Sequence, residues 1–81
     1  MLIALSVFDK KAEFFGPPMF ARNVNEGRRS FLDACNDAQS YLSKHPDDYV
    51  LYAVGTFDES TGLLSASSPA FHVADGSILI V

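Results

Sequence analysis

The chain opens with a period of two. Ile3, Leu5 and Val7 alternate with Ala4 and Ser6, which predicts a strand over Leu2–Phe8 with one strongly buried face. Asp9-Lys10-Lys11 reads as a turn. Phe14–Arg22 is again extended in character, but Gly16-Pro17-Pro18 interrupts it. Proline cannot donate to a sheet ladder, so this segment is expected at an edge or a bulge, with Met19 and Phe20 needing cover.

The period then becomes helical. Asn23 and Glu26 have capping-box spacing, ahead of Gly27, Phe31, Ala34, Cys35 and Ala38 at helical intervals. Arg28 and Arg29 fall beside that stripe, towards solvent. Asn36-Asp37 is a place to end or kink the helix, Tyr41 and Leu42 can extend it, and His45-Pro46 marks a stop.

Tyr49–Phe57 is the strongest strand signal. Tyr49, Leu51, Ala53, Gly55 and Phe57 are expected on one face, with Val50, Tyr52, Val54 and Thr56 on the other. Apolar residues on both faces imply a central strand or a partner chain. Asp58–Gly62 has the polar content and late glycine of a hairpin loop returning into Leu63–Ala66. Ser67-Ser68-Pro69 is read as a break, and Phe71–Val73 with Ile78–Val81 as a final hairpin around Asp75-Gly76. The expected fold is α+β, a single domain over residues 1–81. It has a small antiparallel or mixed sheet of about five strands with one main helix packed across it, in the order ββα followed by strands.

With 81 residues, the chain buries only about 60% of its unfolded surface, so association with a second copy is the expected source of further stability. The 48% apolar content and ten Phe and Tyr residues support a packed core. A single cysteine leaves no internal disulfide framework. No basic stretch precedes the first apolar run, as a secretory signal would require, and that run is far short of the ~20 residues of a membrane span. These features point to a reducing cytoplasm and to no membrane role.

Charge is unevenly divided. All six basic residues fall in the first 44 positions, where five acids leave a local net of +1, and the remaining 37 residues hold five acids and no base. The overall charge of −4 opposes unspecific binding to a polyanion unless a local basic patch reverses it.

No catalytic constellation emerges. Cys35 with His45 or His72 is the only set that a nucleophile and base could come from, and Cys35 lies on the apolar helix stripe, where a buried inert thiol is expected. These three residues lack metal-ligand spacing, and Asp47-Asp48 alone would hold a cation weakly, so no metal or cofactor is expected. His45-Pro46-Asp47-Asp48-Tyr49 reads as a structural turn capped by an aspartate. The five glycines are scattered, without the spacing of a phosphate-binding loop.

Binding remains. Lys10, Lys11, Arg22, Arg28 and Arg29 could gather at one end of the domain, with Phe14, Phe15, Phe20 or Tyr52 as stacking surfaces, as in a single-stranded nucleic-acid groove. In the alternative reading the aromatics are core and the charges are paired, as Arg29 with Asp33 four residues on.

Five ordered strings carry a resemblance. Val7-Phe8-Asp9-Lys10-Lys11-Ala12, Pro18-Met19-Phe20, Gly27–Asp37, Lys44–Tyr49, and Gly55-Thr56-Phe57-Asp58 with Gly62 together resemble the small non-structural protein of gokushoviruses, microviruses with single-stranded DNA that infect bacteria. The resemblance runs over roughly residues 5–64 and leaves Leu64–Val81 unmatched. It implies a non-enzymatic accessory protein of the host cytoplasm, acting in viral DNA replication or packaging, and it supplies no catalytic residues. Two partners follow: single-stranded DNA, bound by a homodimer through Lys10, Lys11, Arg22, Arg28, Arg29, Phe20 and Tyr52, or a viral or host replication protein bound without DNA.

Overall fold

The alternating segment at the start of the chain forms β1, Leu2–Asp9, which holds the sheet together because both of its edges are paired. The computed structural model describes residues 1–77. Along one edge β1 pairs antiparallel with β4, Tyr49–Asp58, from Leu2↔Phe57 to Asp9↔Tyr49. Along the other edge it meets two short strands in succession, β2 (Phe14–Phe15) and β3 (Met19–Ala21). Gly16-Pro17-Pro18 separates them, so the expected interrupted edge strand is present as two pieces. β5, Leu63–Asp75, closes the far side against β4, giving the order β2-β1-β4-β5 with β3 also beside β1. Every pairing is antiparallel.

One main helix, α1 (Val24–Asn36), lies across this sheet. It begins where the sequence predicts: the Asn23 side chain accepts a bond from the Glu26 N–H at 2.8 Å. Gly27, Phe31 and Cys35 are its buried positions. They meet Leu5 and Leu51 of the sheet, together with Ala21, Leu42 and Ala74. Phe31, Leu5 and Leu51 are the largest side chains wholly removed from water, each worth about 1.5–3 kcal/mol of burial.

Several expectations are corrected. The helix ends at Asn36, where the Asp37 N–H bonds back to the Ala34 carbonyl, so Ala38 lies beyond it and is exposed. Tyr41–Lys44 is a separate 3-10 helix, begun by Ser40, whose hydroxyl accepts from the Leu42 N–H. Pro46 opens a second 3-10 turn, Pro46–Asp48, held by main-chain bonds: the Asp48 N–H to the His45 carbonyl and the Lys10 N–H to the Asp48 carbonyl. Ser67-Ser68-Pro69 does not break the chain into two strands. Ser67–Ala70 leaves the ladder between Gly55↔Ala66 and Ala53↔Phe71, and the strand then resumes against β4 as far as Asp75. Phe71–Val73 is therefore the continuation of β5, and the second limb of the expected hairpin, Ile78–Val81, lies outside the described residues.

A further correction concerns the faces of β4. Its ladder with β1 passes from Leu5↔Ala53 directly to Ala4↔Gly55, leaving Val54 as a bulged residue. An extra residue inverts the alternation beyond it. Leu51 and Ala53 share the helix side with Leu5, whereas Gly55 and Phe57 turn to the opposite side with Ala4 and Leu2. The single-faced row from Tyr49 to Phe57 does not exist.

Candidate nucleic-acid interface

The helix covers one side of the sheet, and the register dictates what the other side presents. Phe8 lies opposite Phe15, and Ser6 lies opposite Tyr52, which in turn faces His72. The rings gather: Phe8 and Phe15 are 4.8 Å apart between centroids, Phe15 and Tyr52 5.6 Å in an edge-on arrangement, and Tyr52 and His72 6.0 Å. Phe15 remains 46% exposed, so this is an open aromatic surface. The Ser6 hydroxyl beneath it is buried and donates to the Gly16 carbonyl at 2.7 Å, tying the edge segment down.

Lys10 and Lys11 belong to the turn that joins β1 to β2, which the Phe8↔Phe15 pair precedes by one residue pair. The turn is closed by Asp9, whose carboxylate accepts from the Lys11 and Ala12 N–H groups at 3.0 and 3.1 Å, while Glu13 takes a left-handed φ of 62°. Both lysines are exposed. The ion pairs among the described residues are Met1–Glu59, Arg22–Glu26 and His72–Asp75, so neither lysine is engaged in one.

The remaining basic residues lie elsewhere. Ala21 pairs with Ile3 and Phe14 with Asp9, so about 20 Å of β1 separates Arg22 from the lysine turn. Arg22 is also matched locally: its Nε and Nη2 each stand 3.0 Å from Glu26 Oε2, and its N–H donates to Oε1. That backbone bond first, and then the guanidinium, hold the Glu26 carboxyl below its ordinary pKa. Arg28 donates to the Asn25 side chain at 3.0 Å. Arg29 is exposed and forms no pair with Asp33. Both belong to the helix layer, on the opposite side of the sheet from Phe20 and Tyr52.

Phe20 marks the other end of the helix-free side. It lies opposite Ala4 and meets Phe57 edge-on at 5.9 Å. Beside it runs a shallow apolar groove of about 280 Å³ lined by Ala4, Pro18, Phe20, Val54, Leu64 and Ala66 among others. The seven residues expected in one groove therefore occupy three places. Lys10 and Lys11 in the turn and Tyr52, opposite Ser6, lie toward one end of β1, Phe20 and Arg22 lie toward the other, and Arg28 and Arg29 ride on the helix.

Phe8, Phe57 and His72 also belong to this side of the sheet, where the sequence pattern assigns none of them a binding role. Phe8 and Phe15 flank a short turn in hairpin register, which is the signal that could have paired them. The position of Phe57 depends on the bulge, which nothing in the alternation announces. Cys35 faces the core, and burial raises its thiol pKa; His72 is on the far side of the sheet. No group of three His, Cys, Asp or Glu side chains among the described residues is placed to hold a metal ion. No helix among them is long and apolar enough to cross a membrane.

A sequence profile of the phage ORF5 protein family matches residues 2–79, from β1 to beyond the end of β5. The chain belongs to the phage ORF5 protein family. It is thus a bacteriophage protein, and for this ORF5 family member the match continues through Leu64 and the whole of β5, where the gokushovirus resemblance had stopped. No curated protein and no solved structure matches it. The functional argument for this ORF5 protein accordingly rests on its own residues.

Proposed function

We propose that this phage accessory protein is non-enzymatic and, like the gokushovirus small non-structural protein it resembles, serves viral DNA replication or packaging in the host cytoplasm by binding single-stranded DNA as a homodimer. The observation that supports this is that the exposed, ion-pair-free Lys10-Lys11 turn follows directly on the strand pair that carries the open ring of Phe15, packed edge-on against Tyr52. Unpaired bases offer flat faces to aromatic rings, and their phosphates need nearby positive charge. A duplex keeps its bases stacked inside and offers such a surface only its backbone.

Two lysines per protomer set the scale. Two phosphate contacts on single-stranded DNA correspond to a slope of about −1.4 for log affinity against log salt concentration. Fluorescence anisotropy of a labelled single-stranded oligonucleotide, titrated at low and near-physiological salt with a duplex control, tests the reading. Saturable binding that favours the single strand and weakens with salt is expected. No binding at low salt would remove DNA from the proposal.

Three observations favour a second reading, in which the domain is an adaptor for a viral or host replication protein. Arg22 is matched by Glu26, Arg28 and Arg29 lie away from the rings, and the chain carries −4. An adaptor would bind a protein partner with little dependence on salt and would leave DNA free in the same titration.

A further inference from the structure

β5 is an edge strand: among the described residues β4 pairs with one side of it and no strand with the other. Soluble proteins blunt such edges with lysine, other charges or proline, because unpaired N–H and C=O groups recruit another strand. Leu63-Leu64-Ser65-Ala66-Ser67-Ser68 carries none of these and is bounded by Pro69. Leu63 and Leu64 are 63% and 67% exposed, among the most exposed large apolar side chains in the molecule. Leu64 also lines the groove beside Phe20.

We infer that Leu63–Ser68 is the seam of the homodimer, joined edge to edge and antiparallel to the same segment of a second copy about a two-fold axis. This deepens the dimer in the reading above and rests on that reading only for the dimer itself, not for DNA. The occupant is a second copy because an antiparallel seam brings a strand against itself, and the symmetric contact is self-complementary. The six residues themselves are neutral; of the acids beside them, Glu59 is matched by the Met1 ammonium at 2.8 Å, and Asp58, opposite Leu63 on the β4 side, accepts from the Ser60 N–H and hydroxyl. A polyphosphate would find no cation there. Leu63, Leu64 and Phe20 leave roughly 300 Å² of apolar surface in water, against the ~800 Å² per partner of a standard interface. Joining the edges would also bring the two grooves side by side.

Sedimentation velocity of the full chain from about 5 to 200 µM, with the variants Leu64→Glu and Ser30→Glu, tests the seam. A wild-type dimer that Leu64→Glu weakens at least tenfold and Ser30→Glu leaves intact is expected, with unchanged circular dichroism showing that both variants fold. Cysteine substitutions from Leu63 to Ser67 supply a second readout, since Cys35 is buried. At least one should cross-link under mild oxidation, and Ser30→Cys should not. A wild-type dimer that survives Leu64→Glu without cross-linking would overturn the seam while leaving the homodimer standing. A wild-type monomer at every concentration would overturn both, and anisotropy would still report separately on DNA.

Discussion

Gly27 of the helix rests directly on Leu5 of the central sheet. A Cβ at position 27 would stand 2.6 Å from Leu5 Cδ1 and 2.9 Å from Cδ2, and Leu5 is fully buried, so its side chain would have to shift within the core. Glycine inside a helix loses about 1 kcal/mol of propensity relative to alanine, but overpacking of a tight core costs typically 1–3 kcal/mol. Gly27→Val adds β-branching to the overlap and is expected to destabilise the domain by about 2 kcal/mol or more, read as a lower urea midpoint.

The helix start gives a second prediction, with a sign in pH. Asn23→Ala removes the bond to the Glu26 N–H and should cost about 1 kcal/mol. Glu26 has a folded pKa below its ordinary value because the Arg22 N–H and then the guanidinium favour its charged form. Its contribution is therefore fully present above the unfolded glutamate pKa of roughly 4.3 and disappears as pH falls through the lower folded value. Urea titrations of wild type and Glu26→Gln should differ at pH 7 and converge in acid, below about pH 4.

Most of the fold was legible where one local rule decided it. The alternation of Ile3, Leu5 and Val7, the Asn23 and Glu26 spacing, and the Asp58–Gly62 loop each specify their elements without help from distant residues. The faces of β4 were not legible, because Val54 bulges in response to its neighbours on both sides rather than to its own sequence. β5 runs through Pro69 for a similar reason: Ser67–Ala70 can leave the ladder while the strand continues. Of the candidate site, the lysine turn and Tyr52 lie toward the same end of β1, but Arg22 and Arg28 do not join them. The pairing of Ala21 with Ile3 carries Arg22 away from the lysine turn, and the helix lifts Arg28 to the other layer.

Cys35 offers a test of its core position. It is 6% exposed and its thiol pKa is raised by burial, so little thiolate is present at neutral pH and little of that is accessible. A disulfide reagent should leave the native protein unmodified over a period in which the urea-unfolded chain reacts completely. Rapid reaction of the native protein would place Cys35 outside the core.

The aromatic surface can be separated from the charge beside it. Phe15→Ala removes a stacking face and should weaken single-strand binding by about 1–3 kcal/mol without altering the salt slope. Lys10→Ala with Lys11→Ala should flatten the slope by about 1.4 per protomer. Anisotropy at several salt concentrations distinguishes the two effects. Arg28→Ala with Arg29→Ala, on the opposite side of the sheet from the rings, should change both quantities least.

Both ladders of β4 are interrupted at Val54: β1 skips it, and β5 leaves the pairing there over Ser67–Ala70. The central strand is thereby divided into two panels with different fates when the native state fluctuates. Leu51 and Ala53 are sealed beneath the helix, whereas Thr56–Asp58 is backed by the exposed Leu63 and Leu64. Amide hydrogens on Thr56–Asp58 should exchange with solvent deuterium through a local opening of the Leu63 hairpin, while those around Leu51–Ala53 wait for the whole domain to unfold.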